Sequence, residues 1–550
     1  MNKKNIGENM SSSNFIRGTM LLTGASFLSK FLGMIYMIPF TNLVGEEGMT
    51  LYGYAYTPYN IMLSISTVGV PLAVSKFVSK YNSIDDYYTS MRIFKVGTLM
   101  MFFTGIIAFV LMYFGADIYA NLTWDDRTES LVTKEDLINT IKMISFALII
   151  IPSMSIMRGF FQGNQSMGPT AVSQVIEQVI RILFLLVSVF IVIKVYDGTI
   201  STAIGFATFA AFIGGIASWI VLAGYWVKRK RYLSRKVGEQ KDKRKIPINK
   251  LLFELFTYAG PFVLVGIATS LYQFIDQLTF QYAMAEVGLN DISDVAYSSF
   301  NVQGHKLVII PVTIATGLSL ALIPQITSAY QKSELNHVKK LINQAMHIIM
   351  FFVLPAVFGL VILSHEIYTS LFGGDHIDIT GPLFAWYSPA ALTFAFFTVT
   401  AAILQGIERQ QFTIISLSAG ILVKLLLNSV LIQTFGAKGA IITTLLATLI
   451  AVLMNLWQIR VTLKLSYKKF VKLSILMFIF TLIMSGILLL MKWLAGYFIT
   501  YEDGRFEALI ITLVGVALGG GVYLYLGYTS TLFERIVGRR IKILDRIFNR

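Results

Sequence analysis

The chain has 550 residues, of which 55% are hydrophobic and only 14% are charged, and its formal net charge is +15. A soluble protein carries roughly 25% charged residues, so this composition excludes an ordinary soluble globular protein and indicates an integral membrane protein. The sequence contains no cysteine, which excludes disulfides and thiolate metal sites, and its five histidines show no metal-ligand spacing.

Apolar segments long enough to cross a bilayer recur along the whole chain. A hydrocarbon core of about 30 Å requires about 20 apolar residues per helix. By this rule we predict an all-α polytopic membrane protein with about fourteen transmembrane helices. The predicted spans are 16–42, 56–80, 91–115, 138–160, 170–194, 200–227, 252–281, 298–329, 338–364, 380–406, 412–435, 437–459, 470–494 and 505–528.

Basic residues cluster in loops that share one side of this topology. Eleven Lys and Arg lie in 228–250, six in 534–550 and five in 460–472. Loops rich in Lys and Arg remain in the cytoplasm. We therefore predict that both termini are cytoplasmic. The positive charge indicates a face apposed to anionic membrane lipids and gives no reason to expect nucleic acid as a partner.

The first twelve predicted spans divide into two similar halves. Each half has a Gln-Gly pair followed at the same interval by a basic residue, and each has a G-x-x-L-A motif upstream of that pair. The matches are 162–163 with 405–406, Arg181 with Lys424, and 69–73 with 317–321. We therefore predict two six-helix lobes related by a pseudo-twofold axis, which would enclose a central site. The predicted parts are an N-lobe at 1–227, a basic linker at 228–250, a C-lobe at 251–462, two added helices at 463–528 and a basic tail at 529–550.

Ionisable residues inside membrane spans are costly and usually face a cavity or a partner. The candidates are Lys30, Lys76, Glu177, Arg181, Asp276, Lys306 and Lys424. Glu177 and Arg181 are four residues apart on one helix face, which predicts a pair that is either structural or part of a site. Lys424 is expected to snorkel to the interface, and Lys76 either snorkels or faces the cavity.

The excess of basic over acidic residues in these spans predicts an anionic substrate. Lys30 and Lys306 lie deepest and are expected to face the cavity, where lysine binds phosphate as a point charge. A drug-cation antiporter would require acids in the cavity, and Glu177 and Asp276 are the available ones. No P-loop, G-x-S-x-G or H-E-x-x-H motif is present. We therefore expect a transporter without a cofactor, driven by an ion gradient or the membrane potential, and not an enzyme.

An ordered series of motifs resembles the MurJ-type lipid II flippases, in particular the YtgP-like branch of Gram-positive bacteria within the MOP superfamily of polysaccharide exporters. The motifs are RGT at 17–19, SKFLG at 29–33, YAYTPYN at 54–60, GVPLAVSKFVSKY at 69–81, RGFFQG at 158–163 and SMGPT at 166–170. The resemblance implies a MATE-like fold with two six-helix lobes, and two extra helices that form a groove for a lipid tail.

The same resemblance implies a function in peptidoglycan and cell wall biosynthesis. The implied activity is movement of lipid II, an undecaprenyl-diphosphate-linked precursor, from the inner to the outer leaflet of the bacterial cytoplasmic membrane by alternating access. The implied partners are this substrate, membrane lipids and the cell-wall synthesis machinery. Coupling would use the membrane potential or a monovalent cation.

Residue-level transfer from the resemblance is only partial. Two cavity arginines of the family fall on Lys30 and Lys306, so charge is kept at both positions. Other charged positions of the family fall on Tyr36, Ser64 and Leu51, which carry no charge. The candidates to supply the missing positive charge are Arg17, Lys76 and Arg181.

Three alternative functions would use either the same fold or a related or different one. The same fold could export another undecaprenyl-diphosphate-linked glycan, such as a teichoic-acid, capsule or sporulation-linked unit, and sequence separates these cargoes poorly. A multidrug or cation antiporter would favour twelve spans and cavity acids. A membrane glycosyltransferase would need acidic or histidine catalytic residues on a sizeable outer loop. The acidic residues at 125–129 are explained more simply by a solvated loop.

Overall fold

A computed structural model of the chain describes residues 24–67, 70–124, 133–240 and 246–530, together with 21 and 532. These residues are helical almost throughout and contain no β-strand. The prediction of an all-α protein is therefore confirmed. The acidic segment at 125–129 and Arg17 lie outside the described residues.

The chain forms two compact units, residues 1–278 and 279–550. Their boundary falls inside a long helix at Ile248–Glu286, downstream of the basic segment at 228–250. The division into lobes at that basic segment therefore stays a prediction.

The first unit contains helices α1 to α9 and most of α10. They are α1 Gly24–Ile35, α2 Met37–Thr67, α3 Val70–Asn82, α4 Tyr87–Phe114, α5 Ala116–Thr123, α6 Lys134–Ser145, α7 Ala147–Gly163, α8 Gly168–Phe190, α9 Ile200–Glu239 and α10 Ile248–Glu286. The second unit contains the end of α10 and ten further helices. They are α11 Ser293–Tyr297, α12 His305–Gln331, α13 Leu335–Ile362, α14 Ser364–Phe372, α15 Ile377–Tyr387, α16 Ala390–Gly406, α17 Gln410–Phe435, α18 Ala437–Leu463, α19 Lys468–Ala495 and α20 Arg505–Thr529.

The described part of the chain contains ten helical segments that are long and apolar enough to cross a membrane, if the adjoining helices α6 with α7 and α15 with α16 each count as one segment. The pair Gly24–Ile35 and Met37–Ile65, bent by 43°, could add one more. The predicted number of fourteen is therefore approximate, whereas the predicted class of polytopic helical membrane protein holds.

The first two predicted spans are joined by helix and not by an open loop. The chain bends at Tyr36 and changes direction again at Gly45, whose backbone has φ 69° and ψ −175° inside α2. A positive φ is readily adopted by glycine, which has no Cβ to clash. Hydropathy placed a loop here because it registers polar residues such as Glu46 and Glu47, not the backbone conformation.

Two π-helical segments interrupt the regular helices. Ile191–Val195 extends the end of α8, and Ser298–Gly304 precedes α12. The long predicted span at 298–329 therefore begins in a wider helical conformation and continues as α12. π-Helical turns are uncommon and occur frequently at functional sites.

Equivalent glycines support the predicted internal repeat. A Cβ atom on Gly163 would lie 2.6 Å from Val78 on α3, and a Cβ atom on Gly406 would lie 2.7 Å from Ile326 on α12. Val78 and Ile326 each lie nine residues after the first glycine of the G-x-x-L-A motif in their own unit. In both units, the Gln-Gly helix therefore packs at the same register on the helix that carries this motif.

Substituting Gly159 should destabilise the first unit. An alanine Cβ at this position would lie 2.5 Å from the carbonyl oxygen and 2.8 Å from the Cα atom of Pro71, so backbone would have to move. We expect Gly159→Ala to cost about 1–3 kcal/mol, a typical cost of overpacking. The measurement is the melting temperature of the purified protein in detergent. Gly168→Ala is the control because its Cβ would meet nothing within 4 Å. Equal melting of the two variants would contradict the prediction.

Candidate functional site

Helix α1 is fixed to α8 by small and polar residues. The Ser26 hydroxyl donates to the Gln174 side chain at 3.2 Å, and the Ser29 hydroxyl donates to the Gln174 carbonyl at 3.4 Å. A Cβ atom on Gly33 would lie 3.2 Å from Gln178. These contacts set the rotation of α1 about its own axis, and with it the direction of Lys30.

Lys30 lies on the flank of α1 and its side chain is exposed. The apolar face of the same helix exposes Phe27, Phe31 and Ile35, at 58%, 45% and 40%. Successive residues of an α-helix are rotated by about 100° around its axis. Lys30 therefore lies more than 90° from the middle of the apolar face. It lies at a similar angle from Ser29, which faces α8. Lys30 therefore points along neither the apolar face nor the helix contact.

The bend after α1 holds a cluster of tyrosines together with Arg181. The hydroxyls of Tyr36 and Tyr52 are 3.1 Å apart, and the rings of Tyr52 and Tyr56 stack with their centroids 4.8 Å apart. The Arg181 guanidinium lies 5.2 Å from the centroid of the Tyr56 ring and close enough to Tyr36 to interact with its hydroxyl. A ring face attracts a cation, so the tyrosines hold this positive charge in place.

Glu177 forms its ion pair with Arg158 and not with Arg181 as the sequence spacing suggested. An Arg158 Nη atom lies 2.6 Å from Glu177 Oε2, and the two side chains are 17% and 20% exposed. Arg158 also donates to the hydroxyls of Ser173 at 3.1 Å and Ser218 at 2.9 Å. It therefore links α7, α8 and α9. One acid and two arginines leave this region with a formal charge of +1.

Arg158 was missed as a membrane-embedded charge, although it lies inside the predicted span 138–160. Its position inside the span was enough to predict a membrane-embedded charge. Its ion pair with Glu177 of another helix could not be predicted from the sequence. Gly214 on α9 shapes the same region. A Cβ atom there would lie 2.8 Å from the Glu177 carbonyl and 2.9 Å from Arg181 Cβ. Because Gly214 has no side chain, α9 can approach α8 closely at the positions of Glu177 and Arg181.

The other predicted residues of the first unit have separate environments. Lys76 is exposed on α3, one turn before Lys80, whose ammonium lies 5.7 Å from the centroid of the Phe77 ring. Asp276 is buried on α10 and is 3% exposed.

In the second unit, Lys306 occupies the first turn of α12, directly after the π-helical segment. It is half-buried, and its neighbour His305 places Nδ1 2.9 Å from the Tyr387 hydroxyl. The Tyr368 hydroxyl donates to the side chain of Gln303 in the π-helical segment. Polar contacts therefore fix the residues just before Lys306, where the π-helical segment joins α12.

Lys424 does not snorkel, which corrects the expectation from sequence. Its side chain is fully buried, and its ammonium donates to the Ala440 carbonyl at 3.3 Å and to the Thr444 hydroxyl. One turn further along α17, Asn428 donates to Thr279 at 2.7 Å. Burial of an ammonium requires such hydrogen bonds. Lys424 therefore connects α17 with α18, although it matches the half-buried Arg181 in the repeat.

A second buried ion pair joins the added helices to the rest of the second unit. The Lys492 ammonium on α19 lies 2.8 Å from Glu366 Oε1 on α14 and donates to the Ile362 carbonyl at 2.8 Å. The Glu366 side chain is only 3% exposed. Arg505, at the start of α20, donates to the Phe372 carbonyl at 2.7 Å. These contacts anchor α19 and α20 at the two ends of α14.

Comparisons with known proteins agree with this architecture. The polysaccharide biosynthesis protein family model matches residues 15–330. The chain is 42% identical over 532 residues to the lipid II flippase MurJ of Bacillus subtilis (strain 168), an alignment that covers 96% of this chain and 98% of that protein.

Solved structures show the same fold at low sequence identity. Lipid II flippase MurJ in an inward closed conformation matches with a TM-score of 0.64 at 17% identity, over 94% of this chain and 100% of that chain. An inward-facing multidrug resistance MATE family transporter of the MOP superfamily matches with a TM-score of 0.62 at 14% identity, over 78% of this chain and 94% of that chain.

Proposed function

The chain belongs to the polysaccharide biosynthesis proteins and, among them, to the MurJ-type lipid II flippases, and from this we propose that it moves lipid II from the inner to the outer leaflet of the bacterial cytoplasmic membrane. The observation that carries the proposal is the 42% identity to a lipid II flippase over nearly the full length of both chains. The protein acts as a transporter by alternating access and not as an enzyme.

The charge of the membrane-embedded residues supports an anionic cargo. Arg181 keeps a positive charge beside the tyrosine cluster, because the nearby Glu177 carboxylate is paired with Arg158. Lys30 is exposed, and Lys306 is half-buried. We assign the diphosphate of the substrate to Lys30 and Lys306. Arg181, Lys76 and Arg17 are proposed to add positive charge, although Arg17 lies outside the described residues.

Coupling is proposed to use the membrane potential or a monovalent cation, with no cofactor. Basic residues that carry no substrate would make the return of the empty carrier sensitive to the potential. Asp276, buried on α10, is the proposed coupling or gating acid. Glu177 would serve this purpose only after its pair with Arg158 opens. With the pair formed, Glu177 instead orients Arg158, which bonds to side chains on α8 and α9.

The membrane setting completes the proposal. Both termini are cytoplasmic, and α19 and α20 lie along the polyprenyl tail while the sugar-peptide headgroup crosses through the protein. This division agrees with the many large apolar side chains that α19 and α20 expose, including Ile483, Leu490 and Leu513 at 43%, 54% and 60%. The cell-wall synthesis machinery is the proposed protein partner.

Complementation tests the proposed function. A bacterial strain is depleted of its own lipid II flippase while this chain is expressed, and growth and cell shape are recorded. We expect rescue by the wild-type chain. A parallel strain depleted of an exporter for teichoic-acid or capsule units should not be rescued. Rescue of the second strain alone would assign the chain to another glycan.

Arg181 provides a sharper test of the charge argument. Arg181→Gln removes the charge held by Tyr56, and we expect the flipping rate to fall about tenfold, the effect of losing roughly 1.4 kcal/mol. Arg181→Lys keeps the charge and loses the planar group, so it should retain most activity. The measurement is precursor flipping in proteoliposomes. Equal rates for Arg181→Gln and the wild type would exclude a role for this charge.

A further inference from the structure

A basic groove lies between the end of α18 and the start of α19 in the second unit. Its volume is about 980 Å³, and Arg460, Lys464, Lys468 and Lys472 line it. All four side chains are exposed. The sequence from 457 to 475 contains no acidic residue. Among the described residues that line this groove, the charged ones are all basic, so the groove presents a cluster of positive charge at the turn between two membrane-spanning helices.

The walls of the groove are apolar. Trp457 and Val461 line it on α18, and Val471 and Ile475 line it on α19. These side chains are 58%, 55%, 51% and 55% exposed. Since α18 and α19 are both long enough to cross the bilayer, their exposed apolar sides face lipid. The groove thus combines basic groups at the membrane surface with apolar walls that extend into the membrane.

The gap exists because the two helices pack against different partners. α18 packs on α16 and α17, whereas α19 packs on α13 and α20. The helices therefore diverge from their common turn. In the part of the chain that the structure describes, the space between these helices is a groove lined by side chains of α18, α19 and their connecting turn, so an amphiphile of the membrane can enter it from the bilayer.

The turn that carries the basic residues is held in one conformation. Lys464 has a left-handed backbone with φ 49°, which is unfavourable for residues other than glycine. The Tyr467 hydroxyl donates to the Leu456 carbonyl at 2.7 Å, and the Leu465 amide donates to the Arg460 carbonyl at 3.3 Å. Burial raises the pKa of Tyr467, so its hydroxyl remains protonated and able to donate. The backbone from which the basic side chains project is therefore fixed before a ligand arrives.

We propose that this groove is a binding site for an anionic phospholipid, with the headgroup phosphate among the four basic residues and the acyl chains along the apolar walls. Basic pockets between membrane helices bind anionic headgroups in this way. A free phosphate ion would leave the apolar walls unused. The bound lipid fills the gap between α18 and α19 and stabilises the packing of the two added helices. The site is independent of the proposed transport activity.

Lipid retention by the full-length protein tests this site. The purified protein is incubated with phosphatidylglycerol or phosphatidylcholine, and bound lipids are counted by native mass spectrometry. Basic residues near a membrane surface attract an anionic headgroup and give no such preference to a zwitterionic one, so we expect roughly tenfold preferential retention of phosphatidylglycerol. The melting temperature should rise when phosphatidylglycerol is added. Equal retention of the two lipids by the wild-type protein would overturn the proposal.

Two matched variants distinguish lipid binding in the groove from an effect of the protein's overall positive charge. K464Q/K468Q/K472Q removes three charges from the groove, and K228Q/K230Q/R231Q removes three exposed charges from α9. We expect the preference for phosphatidylglycerol to be lost in the first variant and kept in the second. Trp457→Ala should weaken retention without changing charge. An unchanged preference in the groove variant, or an equal loss in both triple variants, would overturn the proposal.

Two further ligands identify the source of the anion. Inorganic phosphate alone should not raise the melting temperature, since it cannot occupy the apolar walls. An undecaprenyl-diphosphate-linked precursor should not displace the retained phosphatidylglycerol. A stabilising effect of phosphate alone would show that the groove binds small anions and does not need the acyl chains of a lipid. Displacement by the precursor would assign it to the transported substrate. Either result would contradict a phospholipid site.

Discussion

Replacing Lys30 with glutamine is expected to abolish growth of a strain in which this chain supplies the only lipid II flippase. A bound substrate headgroup would shield the pair of Lys30 and diphosphate from water, and loss of one partner from such a pair costs about 2–5 kcal/mol. Flipping in proteoliposomes should therefore fall by at least roughly 30-fold. The Lys30 side chain is exposed and lies outside the α1–α8 contact. The substitution should therefore leave the melting temperature unchanged, which separates lost transport from lost folding.

Two control variants accompany this experiment. Lys30→Arg keeps the charge and should support growth. Lys194→Gln removes one exposed charge from the π-helical end of α8 and should be neutral. Normal growth with Lys30→Gln, together with an unchanged flipping rate, would remove Lys30 from the proposed diphosphate site.

Replacing Lys492 with methionine is expected to cause the largest loss of stability. Glu366 is 3% exposed and would be left as a buried carboxylate without its ammonium partner. Breaking a buried ion pair from one side costs about 3–5 kcal/mol. The melting temperature of the purified protein should fall markedly, and the fall should begin with release of α19 from α14.

The second substitution Glu366→Gln distinguishes a buried charge from lost packing. If the unpaired carboxylate causes the defect, Lys492→Met with Glu366→Gln should recover much of the melting temperature. Arg235→Gln is the control, since it breaks the exposed pair with Glu239 on α9 and should change melting little. A wild-type melting temperature for Lys492→Met would show that this ion pair does not stabilise α19.

The sequence predicted most of the helices because hydropathy depends on side-chain type alone. It did not predict the bend at Tyr36 or the break at Gly45, because the glycine and polar residues in that stretch fit a loop as well as they fit a bent helix. The sequence also did not predict that the 298–329 span begins with a π-helical segment.

The charged residues show a similar limit. Lys424 was expected to snorkel because it seemed close to a helix end, but the rotation of α17 directs it towards α18. Glu177 was expected to pair within its own helix, whereas its partner Arg158 comes from α7. Sequence spacing registers neighbours within a helix. Contacts between helices depend on rotation and approach, for which Gly214 and similar residues are only indirect signs.

The resemblance in fold to a multidrug transporter does not favour that function. Both kinds of transporter share the superfamily architecture, and the matching drug transporter is only 14% identical. The charges around Tyr56 differ from what a cation carrier needs. Arg158 neutralises Glu177, and Arg181 leaves a positive charge beside Tyr56. Such a site would repel a cationic drug and attract a phosphate.

The most direct measurement of the central claim is the leaflet distribution of lipid-linked precursors after depletion of this protein in its own host. We predict that undecaprenyl-diphosphate-linked peptidoglycan precursor accumulates in the inner leaflet, while teichoic-acid and capsule precursors keep their normal distribution. Accumulation of another lipid-linked glycan, or arrival of the peptidoglycan precursor in the outer leaflet at the normal rate, would contradict the proposed lipid II flippase function.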